Sequence, residues 1–305
     1  MLIRFQEILE YVSCREPTSI TFEADGTTYI RNFRPQERLI LLGGGHIACP
    51  LCQYSTDLGF AVTVVDDRPS FANHQRFPEA QAGICDTFPN ALRSIQENEF
   101  DYAAVITRGH RHDADCLRVI LSGATPRYLG MIGSKRRVLG LFNLLEQEGF
   151  SHSALSQIHA PIGLPINALT PKEIAVSILA ELIQTRREKR PDHRLENTLD
   201  AEDIDLPLLE CLADKEKSKA LLLVCETHGS TPAKSGAMMA VTQDFQTVGT
   251  IGGGCSEHSV LMEAYHLIGS GNQRCITVDM SGDVAEDEGM VCGGQMKVLI
   301  ADVWA

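Results

Sequence analysis

Gly43-Gly44-Gly45-His46-Ile47-Ala48 has the spacing Gly-x-Gly-x-x-Ala, and Asp66 follows 23 residues after Gly43. Set between a strand and a helix, such a turn can hold a pyrophosphate. Gly43 permits the tight turn, Gly45 lets the anion approach the backbone, and Ala48 lets the helix lie close to the strand. The helix N-terminus adds amide donors and partial positive charge, with His46 beside it. Asp66 is placed to accept hydrogen bonds from a ribose diol, as in NAD, and would disfavour a 2′-phosphate. The competing reading is a glycine turn used only for packing. Thr107-Arg108-Gly109-His110-Arg111-His112-Asp113 supplies cations at the end of an apolar strand, where His110 and Arg111, with Arg108 beside them, can bind an anionic ligand and Asp113 can cap the next helix. His110 and His112 lack a clear third ligand, so no metal site is expected.

Gly130-Met131-Ile132-Gly133-Ser134-Lys135-Arg136-Arg137 repeats the strand, turn and helix pattern. Ser134 is a candidate N-cap, but three cations in a first helical turn oppose the helix dipole unless an anion lies near. That conflict points to a phosphate-like partner; the alternative is a solvated basic run paired with linker acids. In the second half, Gly252-Gly253-Gly254-Cys255 leads into a helix, and Cys292-Gly293-Gly294 repeats the combination of cysteine and glycines. A thiol at a helix N-terminus favours the thiolate. Cys255 and Cys292 are therefore candidates for holding a soft ligand or carrying sulfur, with Gly253 and Gly254 exposing backbone amides. The alternative is that both are buried thiols in ordinary turns. Cys49 and Cys52 have the spacing of a redox pair but fall on the helix behind the glycine turn, where small residues pack on a sheet.

These residues need elements to position them. Apolar strands at Leu39–Leu42, Ala61–Val65, Tyr102–Thr107 and Tyr128–Ile132 alternate with helices that run to about Leu58, over His112–Leu121 and over Ser134–Glu148. This order predicts an α/β fold with a Rossmann-like, doubly wound parallel sheet over residues 37–186. Thr170-Pro171 starts a further helix that reaches about Arg187. Residues 1–36 read as a helix and a hairpin turning at Asp25-Gly26. Residues 187–205 are a polar linker, and 206–305 a smaller α/β domain with a mixed sheet carrying both glycine-cysteine loops.

Composition narrows the function classes. Charged residues make up 22% and hydrophobic residues 44%, so the chain can bury sizeable cores. The net charge is −13, of which residues 206–305 contribute −7. That field disfavours nucleic acid and anionic membrane as partners. No apolar run reaches the length of a membrane span, and Arg4, Glu7 and Glu10 interrupt the stretch a signal peptide would need. The chain is read as cytoplasmic, and its ten cysteines as reduced thiols.

Several segments together resemble the XdhC/CoxI family, accessory factors of xanthine dehydrogenase and related molybdenum hydroxylases. They are Leu42–Ala48, Gly59–Pro69, Thr107–His110, Gly130–Ser134 and His159–Leu164 in the first half, and Gly229–Pro232, Gly252–Cys255 and Cys292–Gly294 in the second. In the family's usual arrangement the glycine-cysteine domain comes first, whereas here the order is reversed. The resemblance implies that the protein binds the molybdenum cofactor in its molybdopterin form and assists its sulfuration and insertion into a xanthine-dehydrogenase-type hydroxylase. A cysteine desulfurase can be a second partner. A homodimer is expected, because a permuted two-domain chain can complete a cleft across a two-fold axis. The residues alone leave two other readings open: an NAD-dependent oxidoreductase acting on a small substrate, with His110 as acid or base and Arg108 on a carboxylate, and a nucleotide-sensing module without chemistry.

Overall fold

A computed structural model describes residues 2–95, 98–188, 197–200, 205–252, 255–280 and 294–303. The chain divides into two compact units, residues 36–192 and a second built from residues 1–35 with 193–305.

The first unit is organised by a five-stranded parallel sheet. Its strands are β3 (Arg38–Leu42), β4 (Ala61–Asp66), β5 (Ala82–Cys85), β6 (Asp101–Val105) and β7 (Tyr128–Met131), in the order β5-β4-β3-β6-β7. All four pairings are parallel, with Leu42 opposite both Val65 and Val105. Strands covered on both faces must be apolar throughout, and Leu39 to Leu42 and Tyr102 to Val105 are fully buried. Here the helices are α2 (Ala48–Asp57), α3 (Phe88–Ile95), α4 (His110–Leu121), α5 (Lys135–Gln147), α6 (His152–Ser156) and α7 (Pro171–Arg187). One face packs Leu51, Cys52, Ile178 and Leu182 of α2 and α7. The other packs Leu92, Leu117, Leu141 and Leu145 of α3, α4 and α5. This is the doubly wound arrangement. It reverses direction between β3 and β6, so the loops after those two strands face the crevice where such sheets bind ligands. Thr170 and Glu173 close a reciprocal capping box at the start of α7.

In the second unit, α1 (Leu2–Ser13) precedes the antiparallel hairpin β1 (Thr18–Ala24) and β2 (Thr27–Phe33). The short β8 (Thr198–Asp200) adds to β2 in parallel and makes a three-stranded mixed sheet. A five-stranded antiparallel sheet of order β11-β10-β9-β13-β12 follows, from β9 (Lys219–His228), β10 (Met238–Thr242), β11 (Thr247–Gly249), β12 (Gln273–Asp279) and β13 (Gln295–Asp302). Its two faces are covered by different parts of the chain. Phe5 and Ile8 of α1, Phe22 and Tyr29 of the hairpin, and Leu208 and Leu212 of α8 (Leu206–Ala213) pack on Leu221, Leu223 and Leu299. Val260 and Ala264 of α9 (Cys255–Leu267) pack on Leu222, Val224 and Ile300. The N-terminal helix and hairpin thus share one core with residues more than two hundred positions later.

Candidate functional site

The glycine turn is built by close approach. Gly43 has φ +118°, and a Cβ there would lie 2.5 Å from the Ile106 carbonyl oxygen. At Gly44 a Cβ would lie 1.9 Å from the Phe71 carbonyl oxygen, whereas at Gly45 it would meet nothing within 4 Å. The first two glycines let backbone cross backbone, and the third leaves open space beside the start of α2. Ala48 is buried against the sheet, and His46 is exposed at the turn.

Asp66 sits beneath this turn, 1% exposed, and both of its oxygens are engaged within the chain. Oδ2 accepts from the Gly44 amide at 2.9 Å and from Arg68 Nη2 at 2.9 Å, and Oδ1 accepts from Arg68 Nε at 2.8 Å and the Arg68 amide at 3.1 Å. Burial works to raise its pKa, and the bonds from Arg68 and Gly44 outweigh it, leaving the carboxyl below its ordinary range. A ribose diol would reach Asp66 only by displacing Arg68, whose guanidinium lies 3.6 Å over the Phe71 ring. Arg76 completes the closure by donating to the Gly44 carbonyl at 3.0 Å.

Arg108, at the end of β6, reaches across to the end of β4 and pairs with both oxygens of Asp67, through Nη1 and through Nη2 at 2.8 Å. This bidentate contact draws the Asp67 pKa down to about 2. Gly43, Gly45, His46, Asp66 and Arg108 are thereby gathered at one carboxyl edge. His110, the first residue of α4, is exposed, as is Ser134, which caps α5 by accepting from the Arg137 amide at 3.3 Å.

Asp113 corrects one expectation. It does not cap α4, whose N-cap is Gly109 with no side-chain cap. The helix starts at His110, four residues earlier than an Asp113 cap requires, which carries Asp113 inside its first turn. There it is fully buried, accepting from Thr107 Oγ1 at 2.6 Å and from Arg137 Nη2. One of the three cations that oppose the α5 dipole is thus matched by a carboxylate 24 residues earlier, a pairing with no local signal.

In the second unit α9 begins at Cys255, while Gly253, Gly254 and Cys292 lie outside the described residues. Their described flanks converge. A Cβ on Gly252, φ +120°, would lie 2.5 Å from Pro232 Cγ, and one on Gly294 would lie 2.5 Å from the Ser230 carbonyl oxygen and 2.6 Å from that of His228. Gln295 pairs with His228, and the Met280 amide donates to the Gly294 carbonyl at 2.9 Å. Both glycine-cysteine loops therefore leave from one end of the antiparallel sheet, against the 228–232 loop. Gly229–Pro232, one of the segments that carry the family resemblance, lies in that loop, and what the tertiary structure adds is its close packing against two distant glycines. Among the other cysteines, burial pushes Cys52 and Cys225 up to about 12, which keeps them as thiols.

Sequence reasoning also missed a carboxylate-histidine pair. Glu181 of α7 accepts from Tyr128 Oη at 2.5 Å and the Gly163 amide at 2.7 Å, and contacts His159 Nδ1 at 3.1 Å. Among the described residues no group of three or more His, Cys, Asp or Glu is arranged to hold a metal ion, and no helix is long and apolar enough to cross a membrane.

Residues 39–182 match the family model described as the XdhC Rossmann domain, and residues 212–279 match the one described as the XdhC and CoxI family. The chain is similar to a probable xanthine dehydrogenase subunit of Bacillus subtilis strain 168, with 35% identity over 167 residues, covering 54% of this chain and 48% of that protein. It is 28% identical over 158 residues to the uncharacterized protein YqeB of Escherichia coli K12, covering 52% of this chain and 28% of that protein. A crystal structure of a xanthine dehydrogenase from Bacillus halodurans superposes with a TM-score of 0.49 and 30% identity, over 57% of this chain and 49% of that one. The chain spans about half the length, or less, of these relatives.

Proposed function

The chain belongs to the XdhC and CoxI family in both of its domains, and from that premise we propose that it binds the molybdenum cofactor in its molybdopterin form and assists its sulfuration and insertion into a xanthine-dehydrogenase-type hydroxylase. The observation that supports this reading is the convergence of Gly252 and Gly294, near neighbours in sequence of Cys255 and Cys292, on the 228–232 loop. Two thiols suit a soft metal centre or a transferable sulfur, and Cys255 is the first residue of a helix. The cofactor is cargo and carries a phosphate, for which the open space beside Gly45 and the N-terminus of α2 are suited. A cysteine desulfurase supplies the sulfur in this reading, and the protein works as a homodimer in the cytoplasm.

The oxidoreductase alternative has less support, because Asp66, the group that would take the ribose of NAD, is committed to Gly44 and Arg68. The test is anaerobic. The protein is incubated with isolated molybdenum cofactor and desalted, and retained pterin is quantified by oxidation and fluorescence, with Cys255→Ala and Cys292→Ala beside it. Near-stoichiometric retention that falls in both variants, together with lost activation of the client hydroxylase, is the expected result. Retention untouched by either substitution removes the thiols from the site, and no retention by the unaltered chain refutes the reading.

A further inference from the structure

Beyond the glycine turn, a groove of about 640 Å³ opens between α4 and α5, lined by His110, Arg111, Ser134, Arg136, Leu141 and Leu144 among others. This volume lies within the range of small-molecule sites. Its cations are unequally satisfied. Arg118, also in the wall, is held by Glu148 and Asp115, and Arg137 by the buried Asp113. Arg111 and Arg136 are exposed and have no carboxylate partner among the described residues. They stand in the first turns of α4 and α5, where a cation opposes the helix dipole and each repels the other. The groove is therefore polarised. At one end two uncommitted guanidiniums, His110 and the Ser134 hydroxyl meet the amide ends of two helices. Toward the other end the walls are Ala114, Gly140, Leu141 and Leu144, and the cation there is already neutralised.

The Asp113–Arg137 pair, with Thr107 on the other Asp113 oxygen, ties the end of β6 and α4 to α5, so the groove's walls are held rather than adventitious. Gly140 leaves open space where a side chain would stand.

We propose that the α4–α5 groove is a binding site for a phosphorylated small molecule, its phosphate between Arg111 and Arg136 and its apolar or planar body over Leu141, Leu144 and Gly140. The phosphate replaces the missing carboxylates and relieves the repulsion, and guanidinium forks match its oxygens in pairs. This inference does not rest on the maturation reading, since no cysteine takes part. The phosphate belongs either to a free nucleotide-like metabolite or to the pterin cofactor.

Calorimetric titration of the full chain with inorganic pyrophosphate and with AMP tests it. Both probes are expected to bind, and the double variant Arg111→Ala/Arg136→Ala, at two exposed positions, to weaken both by about 100-fold, or about tenfold per lost guanidinium. Gly140→Met, which fills the apolar end from an exposed helix position, is expected to weaken AMP by about tenfold while leaving pyrophosphate unchanged. Competition by isolated molybdenum cofactor assigns the phosphate to the cofactor, and its absence assigns it to a separate metabolite; either outcome keeps the site. Failure of the unaltered chain to bind either probe, or affinity unchanged in the double variant, overturns the proposal. Cysteine-dependent cofactor retention is a separate measurement, so the two readings fail independently.

Discussion

Replacing Gly44 with alanine should unsettle the first unit, whereas the same change one residue later should not. A Cβ on Gly44 must push the Phe71 carbonyl from 1.9 Å to the 3.4 Å at which ordinary contact begins, a retreat of about 1.5 Å. Phe71 is not free to yield: its amide donates to the Arg68 carbonyl at 2.9 Å, and the Arg68 guanidinium lies on its ring. Overpacking of this kind costs about 1–3 kcal/mol. If the turn moves instead, the Gly44 amide leaves the buried Asp66, and a hydrogen bond to a charged group is worth about 1.5–3 kcal/mol. The backbone will take the cheaper course, so Gly44→Ala should cost about 1–3 kcal/mol of the roughly 5–15 kcal/mol that holds a domain together. Gly45→Ala meets no neighbour and should stay within about 0.5 kcal/mol of the parent, yet its methyl stands in the space assigned to the cofactor phosphate and should lower cofactor retention. Native-state hydrogen exchange on the amides of β3 and β4 reads the cost in this unit alone. Equal losses of stability in the two variants, or a neutral Gly44→Ala, would refute the reasoning.

Two further outcomes follow from ion pairs. Asp67 is held at about 2 by Arg108, below the roughly 3.9 of an unfolded aspartate. The pair therefore contributes stability above the unfolded value and loses it as pH falls toward 2. Arg108→Ala should return the Asp67 carboxyl to about 4 in a carboxyl-carbon NMR titration, and a value that stays put would show that Arg108 is not its cause. Asp113→Ala should cost about 2–3 kcal/mol by urea unfolding, less than for a wholly buried pair because Arg137, about one quarter exposed, can turn toward water. A double-mutant cycle with Arg137→Ala should show coupling of at least about 1 kcal/mol, and simple additivity would mean that the contact contributes nothing.

Much of the fold was legible because its signals are local. The Asp25-Gly26 hairpin, the helix start at Thr170-Pro171, and the strand-turn-helix at Gly43 each depend on residues within a few positions of one another. The reading failed where that condition fails. β5 has only four residues, two of them the poor strand formers Ala82 and Gly83, so nothing marked it as a strand until β4 supplied an edge for it. Asp113 looked like a cap because caps are local; its partners are the end of β6 and a cation on the next helix.

By itself, the sequence determined which residues carry usable chemistry and which short elements present them: the glycine turn, the cations after β6 and β7, and two cysteines set among glycines. Periodicity and turn chemistry are properties of a window of residues, and they survive without a tertiary structure. Tertiary structure alone decided which of those groups are spent and which are spare. Asp66 is consumed by Arg68 and Gly44, Arg108 by Asp67, and Arg137 by Asp113, while Arg111 and Arg136 remain without carboxylates among the described residues. It also decided that the first 35 residues complete the core of the last hundred. The reason is common to both: a charge or an apolar face is satisfied by whatever the folded chain brings within a few ångströms, and that proximity is set by packing rather than by distance along the sequence.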